Sequence, residues 1–146
     1  MPAVPTIRCA CDADLDALAA LSAALGYPAD AGAVRERLAA VARSDTDLLL
    51  VAESGGTVIG WMQAHAAWIL ETGLRVEITG LVVAAGARRC GAGRALVAGA
   101  ESWARSLGAR TLVVRTDVRR PDSPLFYPAV GFARRKTQDV YSKPLA

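Results

Sequence analysis

The spacing of apolar positions changes several times along the chain, and each change marks an element. Thr6 to Cys11 reads as a short strand. Asp12 or Asp14 can cap a helix running to about Leu25, with Leu15, Leu18, Leu21 and Leu25 at helical spacing, and Gly26 stops it. After the Tyr27-Pro28 turn, Ala33 to Arg43 repeats the helical period, with Val34, Leu38 and Val41 on one face. Asp47 to Glu53 and Val58 to about Ala67 form two strands, and the Gly55-Gly56 pair between them is a hairpin signal.

The next strand changes character part-way. Arg75-Val76-Glu77-Ile78-Thr79 alternates polar and apolar, as a strand with one wet face does, and after Gly80 the run Leu81-Val82-Val83 is continuous, as burial on both faces requires. A glycine at that change-over predicts a β-bulge or a close backbone approach. Gly91 to Leu107 then reads as a helix with Leu96, Ala100, Trp103 and Leu107 facing inward, a Glu101/Arg105 surface pair, and Gly108 as its stop. Arg110 to Thr116 is a strand, Ser123 to Val130 a short helix and Ala133 to Ser142 a last strand. The expectation is one α/β domain over residues 1–146 with a mixed sheet.

Composition narrows the class. A chain of 146 residues suits one domain. The hydrophobic fraction of 53% owes much to 30 alanines, and no uncharged apolar run reaches the roughly 18 residues a bilayer span needs, so no membrane partner is expected. The start of the chain has no basic segment followed by an apolar one, which points to the cytoplasm. Cys9, Cys11 and Cys90 are odd in number and sparse, which argues against a disulfide framework. Cys9 and Cys11 could mimic half of a metal site, but there is no second pair and His65 is the only histidine, so they read as buried strand thiols and no metal is expected. Charge is uneven: 4 basic and 9 acidic residues up to Leu74, then 13 basic and 5 acidic from Arg75 onward. The basic half calls for an anionic partner. Without interleaved exposed aromatics, and at a net charge of +3, it is a poor nucleic-acid surface.

The chemistry concentrates in Ala84-Ala85-Gly86-Ala87-Arg88-Arg89-Cys90-Gly91-Ala92-Gly93-Arg94-Ala95-Leu96. A strand that feeds an arginine-rich, glycine-containing turn into a helix start builds an anion site, because unpaired N–H groups and the positive end of the helix dipole converge there. A Walker loop would need Lys-Ser or Lys-Thr after Gly91, where Ala92-Gly93 stands, and a Rossmann fingerprint would need a glycine at Leu96. Arg88-x-x-Gly91-x-Gly93 instead resembles the [RQ]-x-x-G-x-[GA] loop of the GNAT superfamily of N-acetyltransferases, and Leu125-Phe126-Tyr127-Pro128-Ala129-Val130-Gly131-Phe132 resembles its F-Y-x-x-x-G-F segment.

The resemblance implies the GNAT acyl-CoA N-acyltransferase fold, α/β, with a mixed central sheet, splayed parallel strands and flanking helices. It implies acetyl-CoA as cosubstrate, its pyrophosphate held at Arg88, Arg89, Cys90, Gly91, Ala92, Gly93 and Arg94, and its pantetheine arm alongside Leu81, Val82 and Val83. Glu77 matches the glutamate that serves as general base in the histone-acetylating branch; holding the substrate's ammonium or pairing with Arg75 are its alternatives. Tyr127 matches the tyrosine that protonates the departing thiolate, with a core tyrosine as the alternative. The pattern departs at Arg89, where glycine is common, and at Arg120, where many members carry asparagine, so contacts of Arg119 and Arg120 with CoA stay open.

The acceptor side is thinner. Trp68 and Glu71 are candidate walls for a cationic amine, or contacts of a homodimer, and His65 reads as a satisfied strand histidine, with a base as the alternative. The C-terminal residues 136–145 resemble the end of small bacterial members grouped loosely with aminoglycoside acetyltransferases, which implies a small cationic amine as acceptor. A non-catalytic acyl-CoA sensor and a protein or peptide N-acetyltransferase are the alternatives.

Overall fold

A computed structural model describes residues 4–88 and 90–146. Contacts divide the chain into two compact units, one ending at Arg115 and the other spanning Thr116–Ala146.

The first unit is a five-stranded sheet, β1 (Thr6–Cys9), β2 (Asp47–Ser54), β3 (Thr57–Ile69), β4 (Gly73–Val83) and β5 (Leu112–Val114), in that spatial order. The first four strands pair antiparallel and β4 pairs parallel with β5, so the sheet is mixed as expected. Helices α1 (Leu15–Ala24) and α2 (Ala31–Ala42) precede β2, and α3 (Ala92–Ser106) joins β4 to β5.

Alternation along the strands divides the core in two. Leu15 and Leu18 of α1 and Val34 and Leu38 of α2 close over Val51, with Leu49, Val58 and Trp61 packed beside them. On α3, Leu96, Val97, Ala100 and Ala104 are buried, as are Met62, Ala64, Val76 and Ile78 of the central strands. Burying each large aliphatic side chain is worth about 1.5–3 kcal/mol, and α3 owes its position to that stripe. Its last predicted core residue differs: Leu107 lies just past the helix and is 39% exposed.

The N-terminal segment is tied down by charge. Asp14, almost wholly buried, accepts two hydrogen bonds from the Arg8 guanidinium, at 2.8 and 2.9 Å, and one from the Cys11 N–H at 2.9 Å. The Arg8 bonds hold its carboxyl down at about 2 against the cost of burial. Cys9 and Cys11 are exposed rather than buried: Cys9 ends the edge strand β1 and Cys11 opens the turn at Asp12–Asp14.

The second unit holds α4 (Ser123–Ala129), whose Tyr127 packs edge-on against Phe126 and Phe132 with centroids 5.0 and 5.5 Å away. The strand expected over Ala133–Ser142 is not formed. A strand needs a ladder partner, and this unit contains no other strand. Val140 and Tyr141 are exposed, and Arg134 bonds locally to Thr137 at 2.7 Å.

Candidate active site

The predicted irregularity at Gly80 is a bulge. Pairing of β3 with β4 runs from Ile69↔Gly73 to Ala64↔Ile78, then resumes at Gln63↔Gly80, so Thr79 is the extra residue. Glycine is required by close approach: a Cβ there would lie 2.6 Å from the Trp61 ring. The Trp61 indole N–H is buried without a hydrogen-bond partner among the described residues.

The bulge coincides with a parting of strands. β5 pairs with Val76, Glu77 and Ile78 and no further, while β4 continues to Val83. Beyond the bulge the Ala84 N–H donates to Ile59 O at 2.7 Å. Because successive residues of a strand direct their backbone groups to opposite edges, Val82 also turns toward β3, and Leu81 and Val83 present theirs to the edge β5 has left. Val82 is buried and its two neighbours half-buried, so the continuous apolar run is not enclosed on both faces.

Glu77 stands on β4 just before the bulge. Its Oε1 accepts from Arg115 Nη1 and lies 3.7 Å from Arg75 Nη2. Directly opposite on β3 is His65, and opposite His65 on β2 is Asp47. Residues paired in register share a face, so Asp47, His65 and Glu77 form one row across three strands. His65 Nδ1 and Asp47 Oδ1 are 3.0 Å apart, and Asp47 Oδ2 accepts from the Ser44 hydroxyl at 2.6 Å and the Thr46 hydroxyl at 3.3 Å. Burial pushes the Asp47 carboxyl up, but the bonds from Ser44 and His65 outweigh it and leave it below the usual carboxylate range.

Asp47, Ser44 and Arg115 were not singled out by sequence reasoning, and His65 was read as a strand histidine in preference to a base. Counting outward from the Ser54↔Thr57 hairpin end places Asp47 opposite Ala64; the irregularity between Ala52 and Glu53 shifts the register by one and brings His65 there instead. Counting from the β3–β4 tip does give His65↔Glu77, a signal available in the sequence.

The loop after β4 passes through a short turn at Ala85–Ala87 to Gly91, which precedes α3 with φ of 88°. Only glycine holds that left-handed conformation without strain. Lacking a side chain, Gly91 cannot cap the first-turn amides of Ala92, Gly93 and Arg94, in contrast to Asp30, which accepts from Ala33 at the start of α2. Arg88 is exposed and Cys90 half-buried; Arg89 lies outside the described residues. Trp68 is 80% exposed and Glu71 exposed at the tip of the β3–β4 hairpin.

In the second unit burial raises the Tyr127 phenol above its ordinary value, with Arg120 pulling the other way. Arg119 folds back on Asp117, donating from its backbone at 2.9 Å and from its guanidinium. Among the described residues no group of three or more His, Cys, Asp or Glu is placed to hold a metal ion, and no helix is long and apolar enough to cross a membrane.

The profile of the acetyltransferase (GNAT) family matches residues 16–132. The chain belongs to that family. Its activity is therefore of the GNAT type, acetyl transfer that depends on acetyl-CoA. No curated protein matches the sequence. Among solved structures, this GNAT chain is similar to a transcriptional regulator from Bacillus halodurans C-125, at 25% identity and TM-score 0.84 over 94% of this chain and 99% of that one. It is similar in fold to aminoglycoside N-acetyltransferase AAC(6')-Iy in complex with CoA, at 21% identity and TM-score 0.86 over 95% and 94%. It shares its fold also with aminoglycoside 6'-N-acetyltransferase AAC(6')-IG from Acinetobacter haemolyticus, at 20% identity and TM-score 0.84 over 97% and 99%. The residues of this GNAT member fit acetyl-CoA: an amide-rich arm can pair with the edge left at Leu81 and Val83, and a pyrophosphate suits the uncapped start of α3.

Proposed function

We propose that this protein transfers the acetyl group of acetyl-CoA to a primary amine of a small molecule, by direct attack while both are bound. The observation that carries the reading is the bulge at Thr79–Gly80, where β4 parts from β5 beside Glu77. Leu81, Val82 and Val83 would line the acyl arm, and a backbone N–H of this stretch, turned to the free edge, polarises the thioester carbonyl. Arg88, Arg89, Cys90, Gly91, Ala92, Gly93 and Arg94 would hold the pyrophosphate. Bringing the two reactants together in one site supplies much of the rate.

An amine is protonated at neutral pH and must lose a proton before it attacks. By the resemblance Glu77 is the candidate base, directly or through a water. Arg115 and Arg75 both approach its Oε1, so Oε2 is the oxygen that would meet the amine. Tyr127, assigned by its segment, donates a hydrogen bond to the departing sulfur; its raised phenol stays protonated throughout the neutral range. The aminoglycoside enzymes that share the fold, together with the acidic first half of the chain, support a small cationic acceptor.

The test is saturable binding of acetyl-CoA followed by CoA thiol release with a panel of aminoglycosides, polyamines and peptide N-termini. Thiol release matched by acetylated amine is expected. Saturable binding without turnover on any amine would make the protein an acyl-CoA sensor, and absence of binding by the folded protein would end the reading altogether.

A further inference from the structure

We propose that His65 is the proton acceptor of the reaction and that Asp47 is the residue that positions it, an assignment that rests on the acetyltransfer reading above. The Asp47 carboxylate is held ionised by its hydrogen bonds, and an ionised carboxylate only accepts. The hydrogen shared with Asp47 Oδ1 across 3.0 Å therefore sits on His65 Nδ1, which makes Nε2 the ring nitrogen that can accept. Ser44 and Thr46, bonded to the other carboxylate oxygen, fix Asp47 in turn. A histidine whose one nitrogen is oriented by a carboxylate and whose other is left to act is the usual arrangement of a protein base.

Position supports the same role. The imidazole is 44% exposed, so a solute can reach it, while Asp47 beneath is 18% exposed. His65 is the register partner of Glu77, which puts their Cβ atoms about 5 Å apart on one face. Glu77 Oε1 already accepts from Arg115 and lies 3.7 Å from Arg75, whereas among the described residues the bond to the His65 ring is on Nδ1 and leaves Nε2 to the solute. Glu77 holds the ammonium and His65 takes its proton.

The step balances. The ammonium gives one proton to Nε2, and the imidazolium formed is faced by the carboxylates of Asp47 and Glu77. The freed nitrogen lone pair forms the bond to the thioester carbonyl carbon, the C–S bond breaks, and its electron pair leaves with the sulfur. The remaining excess proton on nitrogen passes to the thiolate as the amide forms, and His65 returns its proton to solvent.

Two variants test this with wild-type protein in parallel. His65→Asn keeps a donor toward Asp47 and removes the base; kcat should fall about a hundredfold, with acetyl-CoA affinity and melting temperature unchanged. His65→Ala should be equally slow and should regain activity when free imidazole is added, which no structural role would produce. A His65→Asn variant within threefold of wild type, or a His65→Ala variant that imidazole does not rescue, overturns the assignment while wild-type turnover leaves the acetyltransfer reading standing. If wild type itself acetylates no amine, both fall.

Discussion

Two charged clusters on the same sheet put similar residues to different ends. At the N-terminal edge Arg8 meets Asp14 and Glu53, and in the centre Glu77 meets Arg75 and Arg115 beside His65 and Asp47. Asp14 is saturated: both oxygens take guanidinium N–H groups, one also takes a backbone N–H, and its side chain is 4% exposed. In the central row both arginines approach one oxygen of Glu77, and the imidazole is open to solvent. A saturated ion cluster can only hold the chain together, whereas one with open acceptors on an accessible face can bind and move a proton.

The sharpest way to break the contrast is to exchange the damage. Glu77→Gln should lower kcat/KM about a hundredfold, or roughly 2.7 kcal/mol of transition-state stabilisation. Most of it should come through KM for the amine, since Arg75 and Arg115 would be left unbalanced at the proposed ammonium site. Its melting temperature should barely move. Steady-state kinetics with amine varied at saturating acetyl-CoA, beside a thermal melt, separate the two.

Arg8→Ala should do the reverse. Leaving Asp14 buried without its partner costs about 2 kcal/mol, less than the roughly 3–5 kcal/mol of a fully buried pair because Arg8 is one-third exposed. Activity per folded molecule should be unchanged. The pH dependence has a definite sign: the Asp14 carboxyl is depressed to about 2 in the folded protein, so its contribution is complete above the ordinary carboxylate range near 4 and disappears as pH falls toward 2. Urea unfolding of wild type and Arg8→Ala should therefore converge at low pH, and parallel curves down to pH 2 would contradict this.

How far the sequence reaches differs between these regions for a physical reason. The bulge, the helix start at Gly91 and the order of elements were legible because each is set by local rules, a change of period or a glycine at a turn. The Asp47–His65 bond was not, since a register irregularity between Ala52 and Glu53 decides which residue faces Asp47, and no pattern in that stretch announces it. The missing strand after Ala133 failed in the opposite way: its only large apolar residues, Val140 and Tyr141, are adjacent rather than alternating, and a ladder needs a second strand. Nor did the thiols of Cys9 and Cys11 turn inward, because a four-residue edge strand has little interior to offer.

Two smaller effects sharpen the picture. On the role proposed for Tyr127, Tyr127→Phe would remove one hydrogen bond to a leaving group that departs without full protonation, so kcat should fall about tenfold with KM for acetyl-CoA retained. Gly91→Ala forces a side chain into a left-handed conformation at a cost of about 1 kcal/mol, and a several-fold rise in KM for acetyl-CoA should accompany it, read by initial rates against acetyl-CoA concentration.

The most direct test of the central claim, that the opening at the bulge and the start of α3 together receive acetyl-CoA, is residue-resolved amide hydrogen exchange with and without that ligand. Protection should appear at Leu81 and Val83 and in the first turn of α3 at Gly93 and Arg94, while Leu49 to Val51, already inside the ladder, stay as they were. Saturating acetyl-CoA that slows exchange elsewhere and leaves both of those stretches unchanged would contradict the account.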